Sequence, residues 1–94
     1  MSNDVRVEDE VTIASKVGLH ARPAAAVVKA ANELPVKVQI GKGGREVDAR
    51  SMLSLLSLGA EHGDTVTVSA EGEGAEDAVA TMVALLASNL DEES

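Results

Sequence analysis

The sequence predicts an α+β fold, an open-faced β-sandwich whose four-stranded antiparallel sheet is covered on one face by three helices. Three observations lead there. Four short segments alternate apolar and polar residues with the period of a half-buried strand, and three others repeat apolar residues at helical spacing. They follow one another in the order β-α-β-β-α-β-α. The strand segments alternate instead of running apolar throughout, so only one face of the sheet needs a cover.

Ninety-four residues are enough for one hydrophobic core and not for two, so residues 1–94 are read as a single domain. Within it, residues 1–7 form a polar lead-in and residues 91–94 an acidic tail. Val5, Val7, Val11 and Ile13 alternate with charged or hydroxyl residues, but Asp9 interrupts the apolar face. The first strand is therefore expected over residues 8–14, with Lys16-Val17-Gly18 as a loop after it. From Ala21 the period changes. Ala24, Val27, Val28, Ala31 and Leu34 fall at i, i+3, i+4, i+7 and i+10, a helix that stops before Pro35. Pro23 is tolerated in its first turn, where the N–H groups lack intrahelical acceptors anyway.

Val36, Val38 and Ile40 make the second strand, Gly41 to Gly44 a turn, and residues 45–48 a short return strand. Ser51 caps a short helix that Gly59 closes, since serine suits helix starts and glycine the left-handed C-terminal position. After a turn at Glu61-His62-Gly63-Asp64, residues 65–69 form the fourth strand. Ala78, Val79, Met82, Val83, Leu86 and Leu90 are the stripe of the last helix.

Composition narrows the function. There is no aromatic residue, so bases cannot be stacked on aromatic platforms, and a net charge of −8 repels phosphate backbones. Nucleic acid is not an expected partner. The absence of cysteine excludes disulfides, thiolate metal sites and a cysteine nucleophile. Met1-Ser2-Asn3-Asp4 lacks the basic start of a secretory signal, and no apolar segment is long enough to insert in a membrane, so a cytoplasmic location is expected. The acidic excess is compatible both with simple solubility and with a salt-loving source.

One stretch concentrates chemistry: Gly18-Leu19-His20-Ala21-Arg22-Pro23-Ala24-Ala25 sets a histidine where a loop meets a helix start. A neutral imidazole accepts a phosphoryl group near neutral pH. The helix start at Ala21 offers backbone N–H groups and a positive dipole end, and Arg22 adds a forked cation suited to phosphate oxygens. By spacing alone, solvated polar residues at a helix start are the favoured reading of His20 and Arg22, since a lone histidine is a weak signal.

This stretch resembles the phosphorylation-site motif of HPr, the histidine-containing phosphocarrier family of the phosphoenolpyruvate-dependent sugar phosphotransferase system. Val47-Asp48-Ala49-Arg50-Ser51-Met52-Leu53, continuing to Leu58-Gly59, resembles the family's second signature around a regulatory serine. Ser69-Ala70-Glu71-Gly72-Glu73 and Ala78-Val79 resemble its last strand and the start of its last helix. The resemblance implies a carrier, not a free-standing catalyst. Enzyme I, charged by phosphoenolpyruvate, would phosphorylate His20 on its δ1 nitrogen, Arg22 would steady the group, and enzyme IIA would receive it. It implies no metal and no organic cofactor on the carrier, the magnesium requirement belonging to enzyme I, and it implies a monomer.

Met52, Leu53, Leu55, Leu56 and Leu58 crowd the short second helix. At 100° per residue, Met52, Leu53 and Leu56 share one side and Leu55 with Leu58 the other. One group must face away from the sheet unless all five are core. The resemblance points to Met52, Leu53 and Leu56 as the partner-docking side. It also makes Ser51 a candidate for regulatory phosphorylation by a serine kinase, although a helix cap explains Ser51 by itself. The second reading is thus a regulatory HPr-like protein acting through protein contacts switched at Ser51. Relatives specialised that way can lack the histidine, which is present here.

A third reading is a carrier in a nitrogen-linked cascade, against which Pro23 after Arg22 resembles the sugar-system form. The family's phenylalanine on the docking helix has no equivalent, Leu53 standing there instead. His62 is expected to be a solvated turn residue, and Lys16 and Arg50 to add positive potential at most.

Overall fold

A computed structural model describes residues 6–88 of the chain. Its elements follow the expected order: β1 (Arg6–Thr12), α1 (Ala21–Asn32), β2 (Val38–Lys42), β3 (Arg45–Asp48), α2 (Met52–Leu58), β4 (Thr65–Glu71) and α3 (Ala75–Ala87). The strands form one antiparallel sheet in the order β1-β4-β2-β3. α3 lies over β1 and β4, α2 over β2 and β3, and α1 packs against both helices.

The core lies between these layers. Val11, Val38, Ile40, Val47, Val66, Val68 and Ala70 point down from the sheet. Ala24, Val27, Ala31, Leu55, Leu58, Ala78, Val79, Met82 and Leu86 meet them from the helices. Aliphatic side chains of this kind interdigitate without aromatic rings, and alanines let the helices approach closely.

Two strand ends fall short of expectation, β1 stopping at Thr12 and β2 starting only at Val38, and three further boundaries differ. β1 begins at Arg6, so Arg6 and Val7 belong to the sheet and not to a lead-in, pairing with Glu71 and Ala70 of β4. Asp9 does not break the strand, because its backbone pairs with Val68 while its side chain stays exposed. Arg6 also forms ion pairs with Glu8, Glu46 and Glu71. The second difference is at Gly41 and Lys42, which belong to β2. The hairpin turn is only Gly43-Gly44, at φ 61° and 86°, the left-handed pair that matches strand twist. Third, β4 runs on to Glu71, because both neighbours pair with it. Leu90 and the acidic tail lie outside the described residues.

Candidate functional site: a cleft at the start of the first helix

His20 is the N-cap of α1, exposed, in extended conformation at φ −85° and ψ −170°, with no side-chain cap bond. Its carbonyl accepts the first helical hydrogen bond from the Ala24 N–H at 2.8 Å, so the backbone starts the helix while the imidazole is left for the cleft. Pro23 is buried beneath, donating no N–H, its ring adding to the core. Ala21 and Arg22 are exposed at the positive end of the helix dipole.

The loop before His20 is held by long-range backbone contacts. The Leu19 N–H donates to the Ala60 carbonyl at 2.9 Å, and the Gly18 N–H to the Ser15 carbonyl at 3.0 Å. Gly18 adopts φ 68°, and a Cβ there would sit 2.6 Å from the Ala60 oxygen and 2.7 Å from the Glu61 Cα. Glycine is required twice over, for its conformation and for the close approach of the second loop.

That second loop is a tight turn. The Asp64 N–H donates to the Glu61 carbonyl at 2.9 Å and the Gly63 N–H to the Ile13 carbonyl at 3.0 Å. Asp64 Oδ2 accepts from the Glu61 N–H and from Lys42 Nζ, both at 2.9 Å. The Glu61 N–H first, and then Lys42, hold the Asp64 carboxyl below the usual carboxylate range.

The two loops enclose an open cleft of about 570 Å³ lined by Lys16, Val17, His20, Arg22, Pro23, Glu61 and His62. His20 and Arg22 therefore share one cavity. So does His62, an exposed turn residue as expected, together with Glu61 and Val17. Local sequence carried no signal that His62 would reach the cleft, which it does because its turn is bonded to the distant Ile13. Val17 did carry one, an apolar residue in a loop beside glycine. A larger groove of about 760 Å³ lies on the uncovered face of the sheet, lined by Glu8, Glu10 and Glu46 as well as Lys42 and Arg45; it shares no residue with the cleft.

α2 is fixed at both ends. Ser51 Oγ accepts from the Ser54 N–H at 3.3 Å, and Gly59 closes the helix at φ 73°. Arg45 Nη1 donates to the Ser57 carbonyl at 3.1 Å and Lys42 Nζ to the Gly59 carbonyl at 2.9 Å, cations where the helix end is negative. Asp48 organises the approach to Ser51: its carboxylate accepts from the Arg50 N–H and guanidinium, which keeps it below the usual carboxylate range. Leu55 and Leu58 are buried, Met52 is half-buried, and Leu53 and Leu56 are 80% and 39% exposed. With Val17, these are the exposed large apolar side chains among the described residues, and Val17 lies in the His20 cleft. Among those residues no group of three or more His, Asp or Glu side chains could hold a metal ion, and no helix is long and apolar enough to cross a membrane.

Residues 7–88 match the family model described as the PTS HPr component phosphorylation site. The chain belongs to the HPr phosphocarrier family. It is 42% identical over 86 residues to the phosphocarrier protein HPr of Streptomyces coelicolor, covering 90% of this chain and 92% of that one. It is 38% identical over 80 residues to the HPr-like protein Crh of Halalkalibacterium halodurans, covering 85% and 95%. The crystal structure of an HPr from Bacillus anthracis superposes with a TM-score of 0.83 at 35% identity, over 87% of this chain and 98% of that one.

Proposed function

We propose that this HPr-family chain accepts a phosphoryl group from phosphoenolpyruvate-charged enzyme I on His20 and passes it to enzyme IIA in sugar uptake. The observation that carries this reading is the exposed His20 at the start of α1, sharing its cleft with Arg22. A ring nitrogen of His20 attacks phosphorus with its lone pair, the bond from phosphorus to the donor breaks, and the donor keeps that electron pair. The dianionic group then faces the positive end of α1 and the Arg22 guanidinium. Both act without a metal or organic cofactor on the carrier. Because the cleft is open, a second protein reaches the phosphoryl group directly, as repeated transfer requires.

The exposed side of α2, formed by Leu53 and Leu56 with half-buried Met52, would dock enzyme I and enzyme IIA in turn. The chain would work as a monomer in the cytoplasm, as one HPr-like domain. The test is to mix the protein with phosphoenolpyruvate, magnesium and enzyme I and follow phosphate onto His20.

The second reading is a regulatory HPr-like protein. Its support is the likeness to Crh and the position of Ser51, which caps the helix bearing the apolar side. A serine kinase adding phosphate at Ser51 would leave the helix capped but set a dianion beside that side. A protein that takes phosphate on Ser51 and never on His20 would favour this reading.

A further inference from the structure

Resting on the carrier reading, we propose that His62 is a proton-dependent positioning residue for the phosphoryl group on His20. The cleft holds two imidazoles, not one. His62 occupies the first central position of the turn 61–64, which the Asp64-to-Glu61 hydrogen bond closes and Gly63 completes at φ 87°. That turn is bonded to Ile13 and packed on Gly18, so its distance from the His20 loop is set by backbone and not by a mobile side chain. His62 itself is exposed and lends nothing to the core.

The charges around it define when it acts. Lys16 from the first loop and Arg22 from α1 oppose a further positive charge, and Glu61 favours one. Asp64 is paired with Lys42 and accepts from the Glu61 N–H. Adding a phosphoryl dianion to His20 turns this balance toward a protonated His62, which then offers a charged N–H to the phosphate. Coupling of this kind is reciprocal: a phosphate that favours the proton is held better by the protonated form. Because the coupling runs through a proton, the carrier's hold on its cargo rises as pH falls.

The experiment lets the native protein and His62→Gln compete for phosphate in one tube with enzyme I, phosphoenolpyruvate and magnesium, read by intact mass. His20→Ala run alongside establishes that the phosphate sits on His20. Both proteins see the same donor, so its own pH dependence cancels. The phosphorylated-to-free ratio of native protein over that of His62→Gln is expected near one at about pH 8.5, rising to about threefold at about pH 5.5. His62→Lys, charged throughout, should outcompete the native protein at the alkaline end. Phosphate on His20 with a ratio independent of pH overturns the role of His62 alone. No phosphate on His20 overturns the carrier reading and this inference with it.

Discussion

The Leu19 amide donates to the Ala60 carbonyl at 2.9 Å, and this bond ties the loop carrying His20 to the loop carrying His62. Everything in the cleft depends on that junction. Gly18, next to it, makes the approach possible.

Gly18→Ala should therefore damage both stability and transfer. The added methyl meets backbone atoms at 2.6 and 2.7 Å, where no side chain can yield, and the residue is held at φ 68°. A loss of about 1–3 kcal/mol in urea unfolding is expected, with slower phosphorylation. An unchanged unfolding midpoint would show that the two loops are not held together as described.

Leucines on α2 should separate by side. Leu55 is fully buried, so Leu55→Ala should cost about 2–5 kcal/mol. Leu53 is 80% exposed, so Leu53→Ala should stay within about 0.5 kcal/mol of the native protein. The same change should raise KM for enzyme I by about tenfold. Normal kinetics for Leu53→Ala would remove this side of α2 from docking.

Much of this division was legible in the sequence, because a helix with apolar residues all around must leave some outside. Ser51 and Gly59 marked the ends of α2 by their own backbone preferences, and His20 and Pro23 marked the start of α1 by a change of period. Long-range relations were not legible. Asp9 suggested a late start for β1, but pairing with β4 begins at Arg6 and needs no apolar side chain at Asp9. The four residues from Gly41 read as one turn, although Gly41 and Lys42 pair with Glu46 and Arg45. His62 was legible as a solvated turn residue, but its place in the cleft was not, because no local pattern announces which distant loop a turn will touch.

Ser51 should respond differently to loss of its cap and to added charge. Ser51→Ala removes the bond to the Ser54 N–H and should cost about 1 kcal/mol. Ser51→Asp keeps a capping oxygen, so stability should change by less than about 0.5 kcal/mol. It also puts a carboxylate beside Met52 and Leu53, so transfer from enzyme I should slow by about tenfold. Equal transfer rates for Ser51→Asp and native protein would argue against any switch there.

Asp64 gives the fold a defined acid sensitivity. The Glu61 N–H and Lys42 lower its carboxyl in the folded state, so its contribution is present above the unfolded carboxylate range and is lost as pH falls through the lower folded value. Asp64→Asn should thus be less stable than the native protein near neutrality, and the gap should close in acid. Urea unfolding at a series of pH values measures it; a gap undiminished below about pH 2 would contradict the pairing.

The central claim is that His20 carries the phosphoryl group. Native protein and His20→Ala, each incubated with phosphoenolpyruvate, magnesium and active enzyme I, can be compared by intact mass and peptide mapping. Expected is one acid-labile, base-stable phosphate on His20 of the native protein and none on His20→Ala, which unfolds at the same urea concentration because His20 is exposed and makes no cap bond. Phosphate appearing equally on His20→Ala, or on neither protein, would contradict the account.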